Sequence, residues 1–191
     1  MEQNVFHRRL RELVALGDPK AFEVMAFEIG NSVLEEGIFP SDTFIGLLAI
    51  FAEEKFQHSD GSWKLIRVFE ENWEQLSEEQ RNALLPVLEA HYESFSDWMA
   101  CFVISGILGG LYKDARAFDA LCRLSKCQKE VPRSFVPHGF EHVASDAPDA
   151  ELAMQALAEL TKMQRDHSPT VRGEVKESLG RIKKRQTRRP S

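Results

Sequence analysis

The starts of the predicted helices recur at a fixed interval, and this rhythm constrains the fold more than any other feature of the chain. From the third helix onward, alternate helices open near Ser41, Ser77, Lys113 and Pro148, in steps of 36, 36 and 35 residues. The interleaved series opens near Ser62, Asp97, Pro132 and Ser168, in steps of 35, 35 and 36. An interval of this length is one helix hairpin, and hairpins at a constant period stack so that each buries the apolar face of the next. The alternative is an irregular helical bundle whose helices are evenly spaced by chance. No segment alternates apolar and polar residues as a half-buried strand would. The expected fold is all-α: an α-solenoid of about five antiparallel helix hairpins, with residues 1–184 as a single domain and 185–191 as a basic tail.

Faces and caps define ten predicted helices. Phe6, Leu10, Leu13 and Val14 share one face of the first, and Asp18-Pro19 supplies the N-cap and first-turn proline of the second. Phe22, Met25, Ala26, Ile29 and Val33 then point inward, as do Phe44, Leu47, Leu48 and Phe51 in the third helix. The fourth sets Leu65, Phe69, Trp73 and Leu76 against an acidic face of Glu70, Glu71 and Glu74. Ser77 and Gln80 form a capping box for the fifth, and Pro86 inside it predicts a kink rather than a stop. The run Trp98–Tyr112 has 15 residues without a charge, short of the roughly 20 that span a bilayer, and predicts a buried central helix. Trp63, Trp73 and Trp98 are expected to join it in a continuous core.

Composition narrows the function classes. Cys101, Cys122 and Cys127 form neither an even framework nor a C-x-x-C pair, which predicts reduced thiols. Charges scattered through the first 16 residues argue against a secretory leader, so a cytoplasmic protein is expected, with no membrane partner. Residues 1–100 hold 8 basic and 19 acidic side chains, a balance of -11, whereas residues 101–180 hold 10 and 11. The last 11 residues hold 6 basic side chains and no acidic one. The first half therefore attracts a basic partner and repels nucleic acid.

His138-Gly139-Phe140-Glu141-His142 spells H-x-x-E-H, in which two histidines one helical turn apart bind zinc and the glutamate activates water. A zinc hydrolase also needs a third ligand; Glu174 and Glu177 are the nearest acidic candidates downstream and are more simply the solvent face of the last helix. Pro137 and Gly139 leave the motif poorly propped. The same stretch serves as a packing turn, with Phe140 and Val143 inward and Gly139 admitting a neighbouring helix. No G-x-S-x-G elbow, Gly-rich phosphate loop or cysteine beside a local base is present. Gly106, Gly109 and Gly110 lie within an apolar helix and favour close packing. The expectation is of no enzyme, no catalytic residue, no metal and no cofactor.

Asp166-His167-Ser168-Pro169-Thr170-Val171-Arg172 followed by Leu179-Gly180-Arg181-Ile182 resembles the second helix of a HEAT repeat, in which an aspartate before the helix and an arginine one turn into it tie adjacent repeats together. Arg133 to His142 resembles the His-Gly-x-x-His helix of bacterial HEAT-like proteins, and Pro86 is similar to the kink of their first helices. The likeness is good over residues 130–184, looser over 77–129 and weak before that. It implies a HEAT-like superhelix that binds partners on its inner surface. Small acidic chains of this kind are similar to the HEAT-like immunity proteins that neutralise secreted toxins, many of them nucleases with basic clefts. The expected function is an immunity protein, or antitoxin, for a basic toxin domain. Expected contacts are Glu35, Glu36, Glu53, Glu54, Glu70, Glu71 and Glu74, with His138 and His142 facing the groove. The alternatives are a nucleic-acid-associated HEAT-like protein, which would have to neutralise phosphates with residues 181–189 alone, and a zinc hydrolase.

Overall fold

The structure is a computed structural model that describes residues 5–188. All regular structure among them is helical: α1 (Val5–Leu16), α2 (Pro19–Glu36), α3 (Ser41–Phe51), α4 (Glu54–His58), α5 (Trp63–Glu71), α6 (Glu78–His91), α7 (Asp97–Ala100), α8 (Ala115–Leu124), α9 (Glu130–Asp146), α10 (Ala150–Lys162) and α11 (Pro169–Arg188). Between α7 and α8, Cys101–Tyr112 forms the wider turns of a π-helix. The all-α expectation holds, and the boundary signals account for it. Asp18 Oδ1 accepts from the Lys20 amide at the start of α2, Gly37 ends that helix at φ +69°, and the Ser77/Gln80 capping box is complete on both sides. Pro86 lies inside α6 without ending it. The short α4 lacks a stripe of its own long enough to be legible, and its hold is Phe56, which is fully buried. The basic run at the C-terminus begins inside α11, and residues 189–191 lie outside the described part.

Helix contacts divide the chain into two compact units, Met1–Phe102 and Val103–Ser191. In the first, α1 packs on α3, α3 on α6, α2 on α5 and α5 on α7. Its core is a chain of phenylalanines. Phe22 meets Phe56, Phe56 stacks on Phe51, and Phe69 gathers Phe39, Phe44 and Phe51 at centroid distances of 5.4–5.8 Å. Each such ring contributes about 1.5–3 kcal/mol by leaving water, with a further 0.5–1.5 for a well-oriented aromatic pair. The tryptophans do not form this core as expected. Trp73 is buried, but Trp98 is 61% exposed and Trp63 half-exposed. Trp63 lies flat against Phe102 at 5.1 Å and beside Trp98 at 5.9 Å, forming a surface cluster. Phenylalanine, smaller and free of an N–H that needs a partner, fills this interior more readily, as Phe22, Phe39, Phe44, Phe51, Phe56 and Phe69 do.

In the second unit α9 is central, packing against α8, α10 and α11. Its Gly139 crosses Gly109 of the π-helical stretch so closely that a Cβ on Gly109 would stand 2.5 Å from the Gly139 Cα. A Cβ on Gly139 would stand 2.7 Å from Leu121 Cδ2 and 3.0 Å from the Ile104 carbonyl oxygen. These two glycines therefore serve backbone approach, as the sequence suggested. Asp166 does not pair with Arg172. Its Oδ2 accepts from Nε of the buried Arg133 at 3.0 Å, while Arg172 closes its own turn on the carbonyls of Asp166 and His167. The aspartate ties α11 to the preceding hairpin, but through an arginine at the start of α9.

Candidate functional site

Two surfaces stand out, one in each unit. In the second unit, His138, Glu141 and His142 share one face of α9 because residues three and four apart are neighbours on a helix. Glu141 is fully buried; its Oε2 accepts from Arg181 Nε of α11 at 2.7 Å and lies 3.0 Å from His138 Nδ1, which is also 3.1 Å from Arg181 Nη2. Its Oε1 accepts no hydrogen bond among the described residues and lies 3.6 Å from Arg185 Nη2. Burial pushes the Glu141 carboxyl up, but the hydrogen bonds and charges of His138 and Arg181 outweigh it and bring the pKa down to about 2. Arg185 also pairs with Asp146 at 3.2 Å, and Asp146 Oδ2 lies 3.7 Å from His142 Nδ1. The Nε2 atoms of the two histidines are 3.2 Å apart. Burial, and next the charge of His138, lower the His142 pKa. In the zinc-hydrolase reading Glu141 is the base that activates water. Here that carboxylate is held through Oε2 by a guanidinium, which lowers its basicity.

Sequence reasoning missed the second surface, which lies in the first unit. Phe22, Met25, Ile29 and Val33 bury one face of α2, but Val24, Phe27 and Leu34 form a second apolar stripe on the same helix that nothing among the described residues covers. Phe27 is 69% and Leu34 74% exposed, and Ile38 beyond the helix end is exposed as well. Beside the stripe lies a groove of about 550 Å³ between α2 and α5, lined by Phe27, Asn31, Leu34 and Trp63. Glu23 and Glu71 also line it, each paired with a base from α5, Lys64 at 2.6 Å and Arg67 at 2.8 Å. The signal was present in the sequence: Val24, Phe27, Asn31, Leu34 and Ile38 follow alternating steps of three and four.

The predicted acidic contacts are dispersed. Glu35 and Glu36 are exposed in the last turn of α2, Glu36 accepting from Ser32 Oγ at 3.1 Å. Glu53 precedes α4 and lies 3.8 Å from Arg11 of α1, while Glu54 is exposed. Glu70 is half-buried in α5, and burial raises its pKa. Glu74 is exposed and lies 3.7 Å from Arg81. Glu71 alone of these lines the groove, and Glu35 and Glu36 share the helix that carries the stripe.

Among the described residues, no group of three His, Cys, Asp or Glu side chains is placed to share a metal ion, and no helix is long and apolar enough to cross a membrane. No protein-family model matches the chain, and no curated protein or solved structure matches it significantly.

Proposed function

We propose that this chain is a non-enzymatic protein-recognition module built as a HEAT-like stack of helix hairpins, and that it acts as an immunity protein that binds and neutralises a basic toxin domain in the cytoplasm. The observation that carries the reading is the uncovered second stripe of α2. A helix that is apolar on two faces and buries only one is incomplete alone, and contiguous exposed apolar surface on a folded chain marks an interaction site. Steps of three and four suit a partner helix laid along α2, with Asn31 as the polar position that fixes register. Charge selects the partner. The first 100 residues carry a balance of -11, and α2 itself holds four glutamates, of which Glu23 and Glu28 are paired with Lys64 and Arg9 and Glu35 and Glu36 are exposed, so a basic amphipathic segment is attracted and an acidic one repelled.

The test is binding of the protein encoded beside this chain, with and without Phe27→Asp and Leu34→Asp. The expected result is a one-to-one complex that suppresses the toxicity of that product on co-expression, with affinity at least about 100-fold weaker in the double variant, as expected for loss of central apolar anchors. Absence of any complex overturns the immunity reading. A complex indifferent to both substitutions overturns the assignment of the groove.

A further inference from the structure

We propose that His138 and His142 form a surface chelate on α9 that takes one Zn²⁺ ion through their Nε2 atoms. Two nitrogens bound to one tetrahedral zinc at about 2.0–2.1 Å are about 3.3 Å apart, and the two Nε2 atoms here are 3.2 Å apart. The backbone brings them together: residues four apart on a helix stand one above the other, and Gly139 between them seats this part of α9 firmly on the π-helical stretch.

The opposite edge of each ring strengthens the assignment. A metal-bound histidine ordinarily turns its other nitrogen to a carboxylate, which fixes the ring and makes the ligating nitrogen more basic. Both histidines do this. His138 Nδ1 lies 3.0 Å from the buried Glu141 Oε2 and 3.1 Å from Arg181 Nη2, and His142 Nδ1 faces Asp146 Oδ2 at 3.7 Å. Glu141 and Asp146 in turn pair with Arg181 and Arg185, so these carboxylates offset the two guanidinium charges that would otherwise oppose a cation. With both Nδ1 atoms turned toward carboxylates, the two Nε2 atoms face one another across the gap that one ion would fill. Zinc takes unprotonated nitrogens, so any proton held on an Nε2 atom is released on binding.

Both rings are accessible, with His138 side-chain exposure of 36% and His142 of 25%. No third His, Cys, Asp or Glu joins them among the described residues. The remaining coordination positions go to water or to a donor from another molecule. Glu141 acts as a positioning residue behind His138, not as a ligand.

Zinc chloride titrated calorimetrically into the full chain at neutral pH, in two buffers of different ionisation heat, tests the assignment. The expected result is one zinc per chain with buffer-dependent proton release, binding at least about 10-fold weaker in His142→Gln and in His138→Ala, and about 10-fold weaker in Asp146→Asn. Imidazole nitrogen spectra of the unaltered chain give a readout that requires no variant to fold: both Nε2 signals, and neither Nδ1, shift on saturation. No binding up to millimolar zinc overturns the proposal. So does unchanged stoichiometry in a folded variant lacking both histidines, or a cobalt spectrum with thiolate bands, which would assign the metal to Cys101, Cys122 or Cys127.

Discussion

Glu141 shows how much one buried carboxylate can contribute when its partners come from a distant helix. Its pKa of about 2 lies below the ordinary 4.5, so it stabilises the fold above pH 4.5 and loses that contribution as pH falls toward about 2. The full effect is on the order of 3 kcal/mol. His142 adds in the same direction. Its imidazole is held below the usual 6.5, so the unfolded chain takes up its proton more readily and stability declines as pH drops below 6.5. Urea denaturation across this range is expected to show a plateau above pH 6.5 and a steady fall to pH 2. Glu141→Gln should lower neutral-pH stability by about 2 kcal/mol, since it leaves Arg181 and Arg185 short of a partner, and should flatten the fall below pH 4.5. A variant as acid-sensitive as the parent would refute this account. His138, Glu141 and His142 were legible as a motif because they are neighbours in sequence. Arg181 and Arg185 were not, because a separation of about 40 residues carries no local signal.

At the scale of elements, two helices carry more than their packing requires. The glycines make α9 testable by contrast. Gly109→Ala should cost about 2–3 kcal/mol, because the new Cβ meets the backbone of α9 and backbone cannot give way as a side chain tip can. Gly173→Ala, in α11 with nothing within 4 Å of the new Cβ, should instead stabilise by about 0.5–1 kcal/mol. Thermal melts of the two variants should therefore move in opposite directions. For α2, Phe27→Asp and Leu34→Asp should leave the melting temperature nearly unchanged, since both side chains are already exposed, while the corresponding change at Phe22 or Val33 should unfold the chain. The inward stripe of α2 could be read directly from the sequence. The outward one was obscured because a helix hydrophobic on two faces has no single dominant periodicity, and only the missing cover distinguishes the two.

For the whole molecule, charge is the property that acts at a distance. The first 100 residues carry -11 while the last 11 carry +6, so the basic partner proposed above is expected to be attracted by the unit that bears the α2 stripe. The Debye length shrinks from about 30 Å at 0.01 M salt to about 10 Å at 0.1 M. Association with a basic partner should slow at least about 10-fold over that change, while the dissociation rate, set by apolar contacts, stays nearly constant. Charge reversal at Glu35, Glu36 and Glu71 together should reproduce the slow association at low salt. Stopped-flow kinetics that show a salt-independent on-rate would refute steering.

Apolar periodicity, caps and turn residues are local properties, and they sufficed to determine that this chain is helical, to place most of its helices to within a few residues, and to establish its charge asymmetry. The tertiary structure decided which faces are covered and which groups meet across long separations. It put phenylalanines rather than tryptophans at the centre of the first unit, gave Asp166 to Arg133, and locked Glu141 under Arg181. It also left Val24, Phe27 and Leu34 of α2 exposed. The physical reason is that burial and pairing depend on what stands opposite a residue in space, and a residue's own sequence neighbours do not specify that.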